Sequence, residues 1–287
     1  MFAYDFMQHA FAAATIVALV SAPVGYFLVL RGQTFAGHAL SHVGFTGATG
    51  AVLIGVSPIW GLVLLTVICG IGMGMLGERL AHRDVAIGIV LAVALGFGLL
   101  FLHFYTAFAA QAASLLFGNV LAVDVPTIWI LLALGIVSIS ALAAISRPLL
   151  FASVQPELAE ARGVNLRLFS ILFLAIAALA TAECAQIVGV LLVFSLMIGP
   201  AAAAQRLTIR FGRGVMLSMI LALAQAWIGI ALAFYTDWPC SFWITALSAL
   251  IYMLTFVPTR RVFQPQSWIS ALIRKPDRQD VLPRELG

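Results

Sequence analysis

Gly37-His38-Ala39-Leu40-Ser41-His42-Val43-Gly44 lies inside an apolar run, Phe35 to Gly55, long enough to cross a lipid bilayer as a helix. Two of the protein's five histidines stand here, four residues apart. On a helix that spacing stacks both imidazoles on one face, and two such imidazoles can hold one divalent metal ion. Ionisable groups at membrane depth are costly to bury and mark substrate or ion pathways. The stretch therefore carries two expectations together: a membrane-spanning helix, and a route for a transition metal beside it.

The rest of the chain has the same character. Of 287 residues, 63% are hydrophobic and 9% charged, with mean hydropathy +1.11, where a soluble domain carries about 25% charged residues. The apolar runs suit helices of about 20 residues and lack the short alternating segments of a membrane barrel. The fold class expected is all-α, a polytopic helical membrane protein with about nine transmembrane helices (eight to ten). Nine spans are placed at 11–30, 35–55, 59–77, 85–105, 126–146, 168–185, 187–205, 214–236 and 241–258. The first run has no basic segment before it and reads as a full span, not a cleavable signal. Cys69, Cys184 and Cys240 show no CxxC spacing and read as small apolar fillers.

Basic residues set the orientation. Arg31 follows span 1; Arg79 and Arg83 follow span 3; Arg147, Arg162 and Arg167 follow span 5; Arg206, Arg210 and Arg213 follow span 7. The remaining six lie after span 9, so all 15 Lys and Arg fall on one side of the membrane. By the positive-inside rule the N-terminus is outside and the C-terminus cytoplasmic. Counting residues 106–125 as a crossing would invert every later basic loop, so that segment is expected to be re-entrant or interfacial on the outer side. The run from Leu168 to Gln205 would be about 57 Å long as one helix. It must turn, and Glu183 to Gln186 is the polar place to do so. Residues 1–258 are expected to form the transmembrane domain, and 259–287 a basic cytoplasmic tail against the inner leaflet. The net charge of +4 reports topology, not nucleic-acid binding.

The connection after span 5 reads Gln155-Pro156-Glu157-Leu158-Ala159-Glu160-Ala161-Arg162-Gly163-Val164. Pro156 suits a first helical position, Glu157 and Glu160 the first turns, and Gly163 a C-cap. A short amphipathic helix on the cytoplasmic face is expected, or else a solvated connector.

Four segments together resemble the integral-membrane permease subunits of ABC-type zinc/manganese importers. They are Arg31–Gly50, Leu116–Val123 (LFGNVLAV), Gln155–Val164 and Ile187–Ala204 (IVGVLLVFSLMIGPAAAA), in that family's order and within residues 11 to about 258. The resemblance implies a type II-like ABC importer permease in the bacterial cytoplasmic (inner) membrane. It also implies a homodimer, two cytoplasmic ATPase subunits and an external metal-binding protein. Pro156, Glu157, Leu158, Ala159, Glu160, Arg162 and Gly163 would dock into the ATPase. No cofactor is expected to be bound permanently; Zn²⁺ or Mn²⁺ is cargo. Three positions depart from the family pattern: His38, Asn119 and Gln155 each stand where it usually has Asp.

His42 matches the family's metal-site histidine, and His38 replaces the paired aspartate. Two neutral imidazoles in place of an imidazole and a carboxylate favour borderline Zn²⁺ over harder Mn²⁺. The alternative is that both are hydrogen-bonded packing residues. Glu183 is the one carboxylate within the apolar runs and not at their ends. It is a candidate third ligand or mouth group on burial cost alone, or a residue of the turn between spans 6 and 7, with Gln186 a weaker candidate. Asp5, Asp124 and Asp237 fall on the outer side, an ordinary number for solvated loops. His9 and His103 fall near outer span ends, and His82 on the cytoplasmic side. The small-residue positions Gly37, Gly44, Gly47, Gly50, Ala48 and Ala51 suit either close helix packing or a narrow pore.

Rival chemistries fail on single residues. A zinc-protease helix needs H-E-x-x-H with Glu as the base, and Ala39 stands in that place. A P-loop needs Gly-Lys-Ser/Thr, and the sole lysine, Lys275, precedes Pro276. The chain is not an enzyme by these routes. A proton- or sodium-coupled secondary carrier is the remaining alternative to an ATP-driven one, but would want more intramembrane carboxylates.

Overall fold

The structure is a computed structural model and describes residues 4–76, 83–104, 116, 118 and 120–256. Among these, every regular element is helical: α1 (Asp5–Leu30), α2 (Thr34–Leu53), α3 (Pro58–Met75), α4 (Arg83–His103), α5 (Val125–Val154), α6 (Pro156–Ala161), α7 (Leu166–Val188), α8 (Val193–Met197), α9 (Gly199–Leu207), α10 (Phe211–Thr236) and α11 (Cys240–Leu254). Single 3-10 turns lie at Val120–Ala122 and Val190–Leu192. Helix starts carry the expected chemistry. Pro58, Pro126 and Pro156 sit in first turns, where the missing N–H costs nothing. Asp124 accepts from Thr127 N at 3.1 Å and Asn165 from Leu168 N at 3.0 Å. The Thr127 bonds hold the Asp124 carboxyl below the usual carboxylate range.

Among the described residues six helices are long and apolar enough to span a membrane: α1, α3, α4 from Asp84, α5, α7 and α10. The centre of the bundle is α1 and α7, each about two-thirds buried in its most apolar window, whereas α4 is mostly peripheral. Phe173, Leu174, Leu28 and Leu40 are fully enclosed there. Helix α3 lies between α2 and α7. A Cβ on Gly70 would stand 2.7 Å from Leu174 O and one on Gly74 would stand 2.5 Å from Ile171 Cα, so backbone meets backbone. Large apolar side chains such as Trp60, Leu64, Phe97, Trp129 and Met253 cover the outside, as lipid-facing surfaces do.

The small-residue positions of α2 turn out to be packing contacts with three different helices. Gly37 backs onto Leu28 of α1, Gly44 onto Thr66 and Leu62 of α3, Gly47 onto Gly61 and Leu65 of α3, and Gly50 onto Phe101 of α4.

Three expectations need correcting. The run after Leu166 does not turn at Glu183–Gln186: α7 continues to Val188 and the chain breaks at Gly189, whose φ is +85°. Gly is the residue that adopts this conformation without strain. The span expected at 187–205 is not one helix but a 3-10 turn followed by α8 and α9, with α9 opening on Gly199-Pro200. Helix α5 extends to Val154 and carries Arg147 and Pro148 within it, so the connection to α7 begins only at Gln155. Its short helix forms as expected and closes with a Schellman pair, Gly163 N to Glu160 O at 2.9 Å and Val164 N to Ala159 O at 3.0 Å, with Gly163 at φ +82°. Most of 106–125, with Asn119, His82 and the 259–287 tail, lies outside the described residues; of that segment, Val120 is buried and Gly118 abuts Val188 and Gly189.

Candidate metal site

His38 and His42 stand in the first turns of α2, and the structure brings them together. Their ring centroids are 4.8 Å apart with the planes at 83°. Both are half-buried. The carbonyls of the same two residues are occupied: Ser41 Oγ donates to His38 O at 2.7 Å and Thr46 Oγ1 to His42 O at 3.4 Å. Thr46 Oγ1 also reaches Ala94 O of α4, which pins α2 against that helix. The histidine rings are not consumed in this way. His42 Nδ1 is buried and has no hydrogen-bond partner, a cost that packing alone does not repay. The alternative of two hydrogen-bonded packing residues therefore fits His42 poorly.

Phe194, at the start of α8, stands edge-on to His38 with ring centroids 5.9 Å apart. It also lines a groove of about 380 Å³ between α8–α9 and α11. No sequence signal singled it out, because the break at Gly189 that brings α8 to α2 is not visible as a period.

Glu183 is not in an exposed turn. It is 1% exposed on α7, where Oε1 accepts from Ser138 Oγ of α5 at 3.0 Å and Oε2 is buried without a partner. Among the described residues no three of His, Cys, Asp and Glu lie close enough to hold one ion, so within one chain Glu183 does not join the histidine pair. Gln186 Oε1 is likewise buried without a partner. Asp5, Asp124, Asp237 and His103 are exposed and His9 is half-buried; none of them extends the pair into a three-ligand group.

At the α1–α2 joint, Arg31 donates through Nη1 to Ser153 Oγ of α5 at 3.0 Å and lies over the Phe173 ring at 5.4 Å. Two residues beyond Ser153 the α6 connection begins. In it Glu157, Leu158, Glu160, Arg162 and Gly163 are exposed, while Ala159 is fully buried.

Residues 3–259 match the model of the ABC 3 transport family. The chain is 28% identical over 255 residues to the manganese transport system membrane protein MntC of Listeria innocua serovar 6a, covering 88% of this chain and 91% of that protein. It is 26% identical over 261 residues to the high-affinity zinc uptake system membrane protein ZnuB of Haemophilus influenzae, covering 90% of this chain and all of that one. Its fold is that of a chain in the solved structure of PsaBC from Streptococcus pneumoniae in complex with Fab, with TM-score 0.79, 23% identity and coverage of 94% and 96%. A family match spanning nearly all of the chain, together with a shared fold, makes this protein a member of the ABC 3 transport family.

Proposed function

We propose that the chain is the membrane-spanning permease of an ATP-driven importer of divalent transition metals, with His38 and His42 as the metal-coordinating pair and zinc as the preferred ion. The observation that carries this is the contact of two imidazoles on a helix packed inside the bundle, one with a buried, unpartnered nitrogen. Two neutral nitrogen ligands bind a borderline cation firmly enough to displace water, and too few in number to trap it. Manganese is the second reading, favoured by the names of relatives such as MntC. An ion-coupled secondary carrier is disfavoured: it would want several intramembrane carboxylates, and among the described residues Glu183 is the sole buried one.

The remaining parts follow from the family. Two copies of this chain would form the pathway, two cytoplasmic ATPase subunits would hydrolyse ATP, and an external binding protein would deliver the metal. The α6 residues Pro156, Glu157, Leu158, Ala159, Glu160, Arg162 and Gly163 would meet the ATPase. Nine crossings in the bacterial inner membrane, N-terminus outside, keep every basic residue cytoplasmic. Growth rescue of an uptake-deficient cell, scored with zinc and manganese separately, tests the ion. His42→Ala should abolish uptake while the complex still assembles and hydrolyses ATP; normal uptake would remove His42 from the pathway.

A further inference from the structure

Helix α8 ends at Met197 and α9 begins at Gly199, with Ile198 between them. Helical bonds persist across this junction, Ile198 N to Phe194 O at 2.8 Å and Ala202 N to Ile198 O at 2.8 Å. The carbonyl of Ser195, one residue after Phe194, is held from outside its own segment. Gln225 Nε2 of α10 donates to it at 3.1 Å, and Ser248 Oγ of α11 donates to it at 2.7 Å. Gln225 is fully buried and Ser248 nearly so. A fully buried amide in an apolar bundle is expensive unless its bond matters to the arrangement, and here two donors, 30 and 53 residues away in sequence, converge on one oxygen. The close approach is also sterically built: Gly199 abuts Ser248 Oγ so tightly that a Cβ there would collide with it.

We propose that Gln225 and Ser248 are positioning residues, a two-donor clamp on the Ser195 carbonyl that fixes α8 so that Phe194 stands against His38. Neither side chain touches the metal pair. They act by setting how far the Phe194 ring lies from it, and so how easily an ion enters or leaves. The role for the ion rests on the histidine reading above; the clamp on Phe194 does not.

The test uses the assembled importer. Phe194→Cys is placed in a chain with Cys69→Ser and Cys240→Ser, and its reaction with a small thiosulfonate is timed with and without Gln225→Met plus Ser248→Ala. Losing both bonds should speed labelling about tenfold, and either single variant should give an intermediate rate. In the natural Phe194 chain the double variant should shift the half-saturating Zn²⁺ or Mn²⁺ concentration about tenfold, with the maximal rate changed less than about twofold. Adding Phe194→Ala should then produce no further shift. Unchanged labelling overturns the clamp, as does a shift that simply adds to that of Phe194→Ala. If instead His42→Ala imports normally, the metal reading falls and labelling alone decides the clamp.

Discussion

Adding one methyl group to α2 at Gly47 should weaken the protein, whereas adding one to α3 at Gly72 should strengthen it. A Cβ on Gly47 would stand 2.8 Å from the Gly61 carbonyl carbon and 2.9 Å from Leu65 Cβ, with the Gly61 oxygen closer still. Real Cβ atoms essentially never come within 3.0 Å of a heavy atom from another part of the chain, and the obstacle is backbone, so no rotamer change relieves it. The two helices would have to part; overpacking costs about 1–3 kcal/mol, and a backbone obstacle that no rotamer can relieve puts this site in the upper part of that range, about 2–3 kcal/mol. The helix propensity of Ala over Gly returns about 1 kcal/mol at most, leaving a net loss of about 1–2 kcal/mol. Around Gly72 nothing lies within 4 Å, so only the propensity gain remains, about 0.5–1 kcal/mol. At roughly 2–4 °C per kcal/mol for a chain of this size, Gly47→Ala should melt about 2–8 °C lower and Gly72→Ala about 1–4 °C higher. The assay is thermal unfolding of purified protein in one detergent at one scan rate. Gly47→Ala should also weaken metal uptake, because α2 carries both histidines. Equal melting of the two variants would refute the close approach of α2 and α3.

Three other outcomes are expected. Glu183→Gln should leave the half-saturating metal concentration unchanged, since an amide oxygen still accepts from Ser138, whereas Glu183→Ala should cost about 1–3 kcal/mol by stranding that hydroxyl; a tenfold loss of metal affinity in Glu183→Gln would make it a ligand. Glu157→Arg with Glu160→Arg should uncouple ATP hydrolysis from uptake, measured as metal-stimulated ATPase activity in proteoliposomes, and unchanged coupling would leave α6 a mere connector. Arg31→Met should lower the same stimulation several-fold without changing assembly, because it cuts the link from the α1–α2 joint to Ser153 at the base of α6; full stimulation would show that the link carries no coupling.

Much of the fold is legible in the sequence because apolar length and basic residues are local signals. Helices α1 to α4 and α10 fall close to the expected spans, and Pro156 and Gly163 bracket α6 through caps that the chain supplies within a few residues. The histidine pair is legible for the same reason, since i and i+4 share a face whatever surrounds them. What fails is non-local. Glu183 looks like a turn residue because its partner Ser138 is 45 positions away, and without that partner a carboxylate reads as exposed. The break from Gly189 to Ile198 is hidden in a uniformly apolar run, and the groups that hold it, Gln225 and Ser248, read as unremarkable polar residues of other helices. Phe194 owes its place beside His38 to that break, so it was invisible for the same physical cause.

The most direct test of the account is the zinc K-edge X-ray absorption spectrum of the assembled importer loaded with one equivalent of Zn²⁺. Two imidazole nitrogens in the first shell, lost together in His38→Ala with His42→Ala, are predicted. Sulfur ligands, or a spectrum unchanged by removing both histidines, would contradict it.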